Sequence, residues 1–183
     1  MPNYKTTLWS DLTLPTFGPL EDDLRVEVAV VGGGITGLTA AHLLTRAGVR
    51  VALLESRRVG SGETKKTTAH LTEILDTRLR RLVSSFGEEG AELAVRGHRA
   101  AIERIATLVA ELGVDCQLQR LPGYLYADST AEADELALEA ETARALGLSA
   151  ELVTESPLPF PIKRALRIED QAQLHPALSI GSD

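Results

Sequence analysis

The glycine motif Gly-x-Gly-x-x-Gly at residues 32–37 constrains the fold of this chain more than any other feature. It follows a short run of small and β-branched residues at 26–31, which predicts a strand buried on both faces. Apolar residues at helical spacing occupy 35–47, and a second apolar run at 49–54 ends on Glu55. Together these segments predict one strand–helix–strand unit with a right-handed crossover.

Each glycine of the motif has a physical role in such a unit. Gly32 permits a tight turn, Gly34 allows the backbone to approach a pyrophosphate, and Gly37 allows the helix to pack against the strand. The helix N-terminus supplies free N–H groups and a partial positive charge. Glu55, at the end of the second strand, can accept hydrogen bonds from ribose hydroxyls. The pattern predicts dinucleotide binding, against the alternative of a glycine turn between packed elements.

The type of dinucleotide depends on Glu55 and on the segment after it. A carboxylate at this position repels a 2′-phosphate, which disfavours NADP and leaves NAD and FAD. An NAD-binding domain would continue with another helix and strand, whereas residues 56–70 are polar, basic and rich in glycine and hydroxyl groups. Such a loop is suited to wrap a pyrophosphate and a bulky ring system, so the sequence favours FAD.

Further elements are expected downstream of this loop. Apolar spacing predicts a pair of helices, then short strands around a Pro-Gly turn, an amphipathic helix and two more strands. The predicted helices are 72–86, 88–112 and 131–146; the predicted strands are 116–121, 124–126, 150–153 and 165–168, with the turn at Pro122-Gly123.

Composition narrows the class of protein. Hydrophobic residues make up 44% of the 183 residues and charged residues 25%, which is typical of a folded globular chain. The net charge of −7 argues against a nucleic-acid partner. The single cysteine, Cys116, and the scattered histidines predict no disulfide and no metal site. Without a signal peptide or a transmembrane segment, we expect a cytoplasmic protein; homo-oligomerisation is left open.

Residues 28–55, followed by SRRVGSGETKKTTAHLT, resemble the FAD-dependent oxidoreductases of the D-amino acid oxidase and glycine oxidase type. The likeness is nearest to members that carry a C-terminal Rieske iron–sulfur domain, and it is looser over 123–126 and 165–176. The resemblance implies an α/β fold with a Rossmann-like FAD-binding domain and the beginning of a mixed α+β substrate domain. The implied division is an N-terminal arm at 1–24, the FAD-binding part at 25–112 and the partial substrate domain at 113–183.

By this resemblance, the cofactor-binding residues lie in the glycine motif and in the loop after the second strand. Glu55 would hold the adenosine ribose, and Arg57 or Arg58 would lie near the adenosine end. The loop departs from the family pattern at Lys65-Lys66, where a Gly-Arg pair is frequent. The full implied set is Gly32, Gly34, Ile35, Thr36, Gly37, Glu55, Arg57, Arg58, Ser61, Gly62, Thr67, Thr68 and Ala69.

The activity that the resemblance implies is oxidation of a small amine or amino acid, with hydride transfer to flavin N5. No catalytic residue is assigned, and residues that bind the substrate carboxylate are expected beyond residue 183, because family members are longer. With one cysteine, residues 1–183 cannot hold the ligands of a Rieske cluster. Two alternatives stay open: an NAD-binding dehydrogenase fragment and a non-catalytic dinucleotide-binding remnant.

Overall fold

The computed structural model describes Trp9 and residues 14–180, so residues 1–8 and 10–13 of the predicted N-terminal arm lie outside the described residues. The strands are β1 (Val28–Val31), β2 (Val51–Leu54), β3 (His70–Leu71), β4 (Gln119–Ala127), β5 (Ala150–Val153) and β6 (Arg164–Gln173). The helices are α1 (Ile35–Arg46), α2 (Leu79–Leu112) and α3 (Thr130–Ala145), with short 3₁₀ helices at Glu63–Lys66 and Leu178–Ile180.

The chain divides into two compact units. Of the described residues, unit 1 comprises Trp9, 14–69, 114–116 and 175–180, and it contains β1, α1 and β2. The two strands pair in parallel along their full length, and α1 connects them. The predicted strand–helix–strand unit is therefore confirmed.

The predicted burial of β1 on both faces is wrong. None of its four residues is fully buried, and Val31 is 84% exposed. The physical reason is that the sheet of unit 1 has only two strands in the described part of the chain. The apolar run still forms a strand, because β-branched residues favour the extended backbone.

Unit 2 comprises residues 70–113 and 117–174 and contains an antiparallel sheet of four strands. Its centre is β6, which pairs with β4 along most of its length and with β3 and β5 at its two ends. The parallel unit 1 and the mixed helix–sheet unit 2 agree with the predicted α/β class. Helix α2 belongs to unit 2 together with this sheet. The domain boundaries predicted from the sequence at residues 24 and 112 stay a prediction.

The strand β4 replaces the two predicted strands and the turn between them, so that prediction is wrong. The chain runs straight through Pro122-Gly123, and the pairing register with β6 shifts between Leu121 and Gly123. The extra residue lies on β6, where Asp170 has φ of 60°. Proline, which has no N–H to donate, is tolerated at such a β-bulge, because the ladder is interrupted there.

The helix α2 confirms the predicted break near residue 87 and corrects the predicted start. Gly87 has non-helical backbone angles, φ 73° and ψ 173°, so two helical segments meet at this residue. The helix begins at Leu79 instead of residue 72. Backbone N–H groups of the preceding segment bond to side chains instead: Glu73 donates to the Gln171 side-chain oxygen at 2.7 Å. A segment satisfied in this way gains little from helix formation.

Helix α3 confirms the predicted amphipathic helix and helps to position α2. The Ser129 hydroxyl accepts from the Glu132 N–H at 3.3 Å and donates to the Glu132 carboxylate at 2.9 Å, so Ser129 caps the N-terminus of α3. The buried carboxylate of Glu139 accepts hydrogen bonds from the backbone N–H groups of Leu79 and Arg80, so it caps α2. Within Trp9 and residues 14–180, no helix is both long and apolar enough to cross a membrane.

Candidate functional site

The turn between β1 and α1 brings the helix unusually close to the preceding backbone. Gly32 has φ of 107°, a conformation that favours glycine, and its N–H donates to the Leu54 carbonyl at 2.8 Å. A Cβ atom at Gly37 would overlap the Gly32 carbonyl oxygen. The structure therefore gives Gly32 and Gly37 the turn and packing roles expected from the sequence.

The N-terminus of α1 presents backbone donors at this turn. Gly34 is the N-cap residue and has no side chain to cap the helix. Among the described residues, no protein acceptor contacts the N–H groups of Gly34 and Thr36. Such free N–H groups, together with the helix dipole, favour a bound anion.

Thr64, which the sequence analysis did not include, contacts the same helix end. Its side-chain oxygen accepts a hydrogen bond from the Ile35 N–H at 3.1 Å, although 29 residues separate the two. The residue is only 8% exposed and lies in the 3₁₀ helix of the loop. The abundance of hydroxyl residues in this loop was the only signal in the sequence, and it did not distinguish Thr64 from its neighbours.

Glu55 occupies the end of β2 and binds the turn directly. Its carboxylate accepts from the Gly33 N–H at 2.7 Å and from the Arg57 N–H at 2.9 Å. The hydrogen bond from Gly33, followed by that from Arg57, holds the pKa of Glu55 below its ordinary value. The carboxylate is therefore ionised and fixed beside the glycine motif at neutral pH.

The lowered pKa of Glu55 predicts a pH-dependent contribution to stability. This contribution is present above the unfolded-state pKa, about 4.5, and is lost as pH falls through the lower folded-state pKa. We expect Glu55→Gln to have a lower Tm than the parent chain at pH 7, and the difference to shrink below pH 4.5. Thermal melts of both proteins across this range test it, with the exposed Glu88→Gln as a control for the loss of one surface charge. A difference in Tm that stays constant with pH would contradict it.

The remaining implied residues of the loop differ in accessibility. The Arg57, Arg58, Ser61, Thr67 and Thr68 side chains are exposed. Gly62 is the N-cap residue of the 3₁₀ helix, and Ala69 is buried with φ of 65°. The Thr67 hydroxyl oxygen accepts from the Ala69 N–H at 3.2 Å, which orders the end of the loop. The structure places these residues on one loop that returns to the N-terminus of α1 through Thr64.

Trp9 fixes part of the same loop. Its indole N–H donates to the Thr67 carbonyl at 2.9 Å, and its ring meets His175 edge-on, with centroids 4.7 Å apart. These two contacts anchor Trp9 to the loop and to His175. The contacts also restrain the backbone at Thr67.

The arrangement fits a dinucleotide. Gly34 places no side chain at the start of α1, and the N–H groups of Gly34 and Thr36 are available to a phosphate. The Glu55 carboxylate accepts a hydrogen bond from the Gly33 N–H in the same turn. The fold and site thus define a βαβ unit of the dinucleotide-binding class.

Comparison with known proteins gives the family. Residues 27–180 match the model of the FAD dependent oxidoreductase family, DAO. The chain belongs to this family, as its sequence indicated. The assignment favours FAD over the NAD alternative.

Individual relatives agree with the family. The chain is 36% identical over 171 residues, 93% of its length, to YhfW of Bacillus subtilis, which is named as a Rieske 2Fe-2S iron–sulfur protein. It is 29% identical over 110 residues, 60% of its length, to the gamma-glutamylputrescine oxidoreductase of Escherichia coli. The glycine oxidase structure from Bacillus cereus covers 85% of the chain with a TM-score of 0.61 at 20% identity, so it shows a shared fold.

The chain is short relative to these proteins. It spans 34% of the B. subtilis relative, 25% of the E. coli relative and 43% of the glycine oxidase chain.

Proposed function

We propose that this chain binds FAD through the glycine motif and the following loop, and that the protein oxidises a small amine or amino acid. Family membership supports the cofactor. The substrate class is supported by the names of two similar proteins, one acting on gamma-glutamylputrescine and the other on glycine. Within the described part of the chain, no residue is assigned a catalytic role.

The observation that carries the proposal is the N-terminus of α1 next to Glu55. The N–H groups of Gly34 and Thr36 would donate to the pyrophosphate, and the helix dipole would favour its charge. The Glu55 carboxylate is already fixed by the Gly33 and Arg57 N–H groups, and each of its oxygens keeps further lone pairs for ribose hydroxyls. When bound, FAD supplies the ring that accepts a hydride.

The loop would provide the remaining contacts of the cofactor. In this proposal the exposed Arg57 and Arg58 lie near the adenosine end, while the backbone at Ser61 and Gly62 and the segment 67–69 approach the pyrophosphate and flavin. Residues 25–112 would form the FAD-binding part and residues 113–183 part of the substrate domain.

Cofactor binding is tested on the purified chain by visible absorption. The chain is mixed with FAD and passed through gel filtration, and we expect flavin absorption to co-elute with the protein. NAD in excess is the competitor, and it is not expected to displace the flavin. A folded chain that elutes without flavin would contradict the cofactor part of the proposal.

Substrate class is tested on the FAD-loaded protein without oxygen. Glycine, L-proline and gamma-glutamylputrescine are added separately, and we expect at least one of them to bleach the flavin absorption. Lactate, which has a hydroxyl in place of the amine, is the control and should leave the spectrum unchanged. Bleaching by lactate alone would overturn the amine assignment while leaving cofactor binding intact.

A further inference from the structure

Helix α2 carries an apolar surface on the side that faces away from its own core. Ala91 and Val95 are fully buried and belong to the hydrophobic core. Leu93 lies two residues after Ala91, about 200° further round the helix, and it is 62% exposed. Gly97 lies two residues after Val95 and is exposed as well. The outward side of α2 therefore presents a large apolar residue that the described part of the chain leaves uncovered.

Phe86 extends this surface across the kink at Gly87. It is 71% exposed, and a Cβ atom at Gly90 would lie only 2.9 Å from the Phe86 Cβ atom. Phe86 therefore lies directly beside Gly90, and Leu93 follows one helical turn further on. A single exposed apolar residue is ordinary, whereas adjacent large ones mark an interaction surface. We refer to Phe86, Gly90, Leu93 and Gly97 as the outer face of α2.

Two charges of opposite sign lie along one edge of the outer face. Glu89 and Arg96 are seven residues apart, which is two helical turns, and both are exposed. In an antiparallel pair of identical helices, residues at equal distances from the centre lie opposite each other. A pair centred between Glu92 and Leu93 brings Glu89 of each copy opposite Arg96 of the other. A parallel pair in register would bring like charges together instead.

The large and small residues of the outer face fit the same antiparallel arrangement. Phe86 of each copy comes within a turn of Gly97 of the other copy, and Leu93 lies near the centre. A Cβ atom at Gly97 would meet nothing within 4 Å, so the space in front of this glycine is open to a partner. Charge and shape therefore favour the same occupant, which is a second copy of this helix.

We propose that the outer face of α2 binds the outer face of a second copy of this chain, as an antiparallel helix pair with two-fold symmetry. The same surface serves both copies, so the contact closes on itself as a dimer. Few residues take part, so we expect a weak dimer with a Kd of roughly 10–100 µM. The inference goes beyond the proposed function, because the contact requires no cofactor.

The first test is sedimentation equilibrium of the full chain without FAD, from about 5 to 500 µM. We expect the average mass to rise from that of one chain towards that of two. Leu93→Glu buries a charge at the centre of the pair and should raise the Kd by at least about tenfold. Leu112→Glu is the matched control, because Leu112 is also exposed, at 54%, but lies at the end of α2 outside the outer face. Circular dichroism verifies that both variants are folded.

The second test reverses the charges at the edge of the outer face. Glu89→Arg and Arg96→Glu each place like charges opposite each other, and each should raise the Kd by roughly 3- to 10-fold. When the two single variants are mixed, every contact at these positions again joins opposite charges. The mixture should therefore associate more tightly than either variant alone. This readout does not depend on stability, because the same two proteins are compared alone and together.

Three outcomes would overturn the inference. A parent chain with the mass of one copy at the highest concentration would show that a second copy does not bind this face. Self-association that Leu93→Glu leaves unchanged would place the contact on another surface. A mixture of Glu89→Arg and Arg96→Glu that associates no better than either alone would contradict the antiparallel arrangement. Flavin binding by the same variants is measured separately, so failure of the proposed function would be recognised independently.

Discussion

Replacing Gly37 by alanine is expected to abolish FAD binding and to destabilise the chain by about 3 kcal/mol. The added Cβ would overlap the Gly32 carbonyl oxygen, and a backbone atom cannot rotate away as a side chain can. Gly32 is also held by its hydrogen bond to the Leu54 carbonyl at 2.8 Å, so relief of the overlap must move α1 or the turn. Urea unfolding gives the change in stability, and flavin fluorescence gives the change in affinity.

The control for Gly37→Ala is the same substitution at Gly97. This residue is exposed within α2, and a Cβ there would meet nothing within 4 Å. Because alanine is a better helix former than glycine, we expect Gly97→Ala to stabilise the chain by about 0.5–1 kcal/mol. A Gly37→Ala variant with the stability and FAD affinity of the parent chain would show that the helix does not pack closely on this turn.

Replacing Arg99 by leucine is expected to lower the free energy of unfolding by about 2–3 kcal/mol. Arg99 contacts both carboxylate oxygens of Glu73, at 2.8 and 3.0 Å, and also donates to the Gly147 carbonyl at 3.0 Å. Glu73 is only 4% exposed, so its carboxylate would lose its partner in a buried position. The Arg99 side chain is 43% exposed, so water screens part of the interaction. The expected loss of stability is therefore at the lower end of the range for breaking a buried ion pair.

Two comparisons make the Arg99 result specific. Arg96→Leu, on the same helix, breaks an exposed pair with Glu92 at 3.6 Å, and it should change stability by no more than about 0.5 kcal/mol. Adding Glu73→Gln to Arg99→Leu removes the buried charge and should restore part of the lost stability. Equal losses from Arg99→Leu and Arg96→Leu, measured by urea unfolding, would contradict the importance of the buried pair.

Features encoded by adjacent residues could be predicted from the sequence. The glycine motif, the apolar runs on either side of α1 and the acid at Glu55 lie within one short stretch, and the structure forms the predicted unit there. The sequence signal for the end of a helix is equally local. Gly113 is the C-cap residue of α2 and has φ of 64°, a conformation that favours glycine. Such signals depend on backbone conformations that one residue type strongly favours.

Features that depend on distant residues could not be predicted in the same way. The segment before α2 has a helical pattern, yet Gln171 bonds to Glu73 across 98 positions and Glu139 caps Leu79 across 60. The Thr64–Ile35 bond joins a loop to a helix across 29 positions. Periodicity contains no information about such pairs, so the start of α2 and the role of Thr64 became evident only from the structure.

The β-bulge at Asp170 shifts the alternation of side chains between the two faces of β6. Side chains alternate between the two faces of a strand, and Leu166 and Ile168 belong to the core packed against the helices. Because of the extra residue at the bulge, the odd-numbered Gln171 lies on the face that the even-numbered residues occupy before the bulge. On that face its side-chain carbonyl oxygen accepts a hydrogen bond from the Glu73 N–H. Removing a single residue at this point would exchange inside for outside over the rest of the strand.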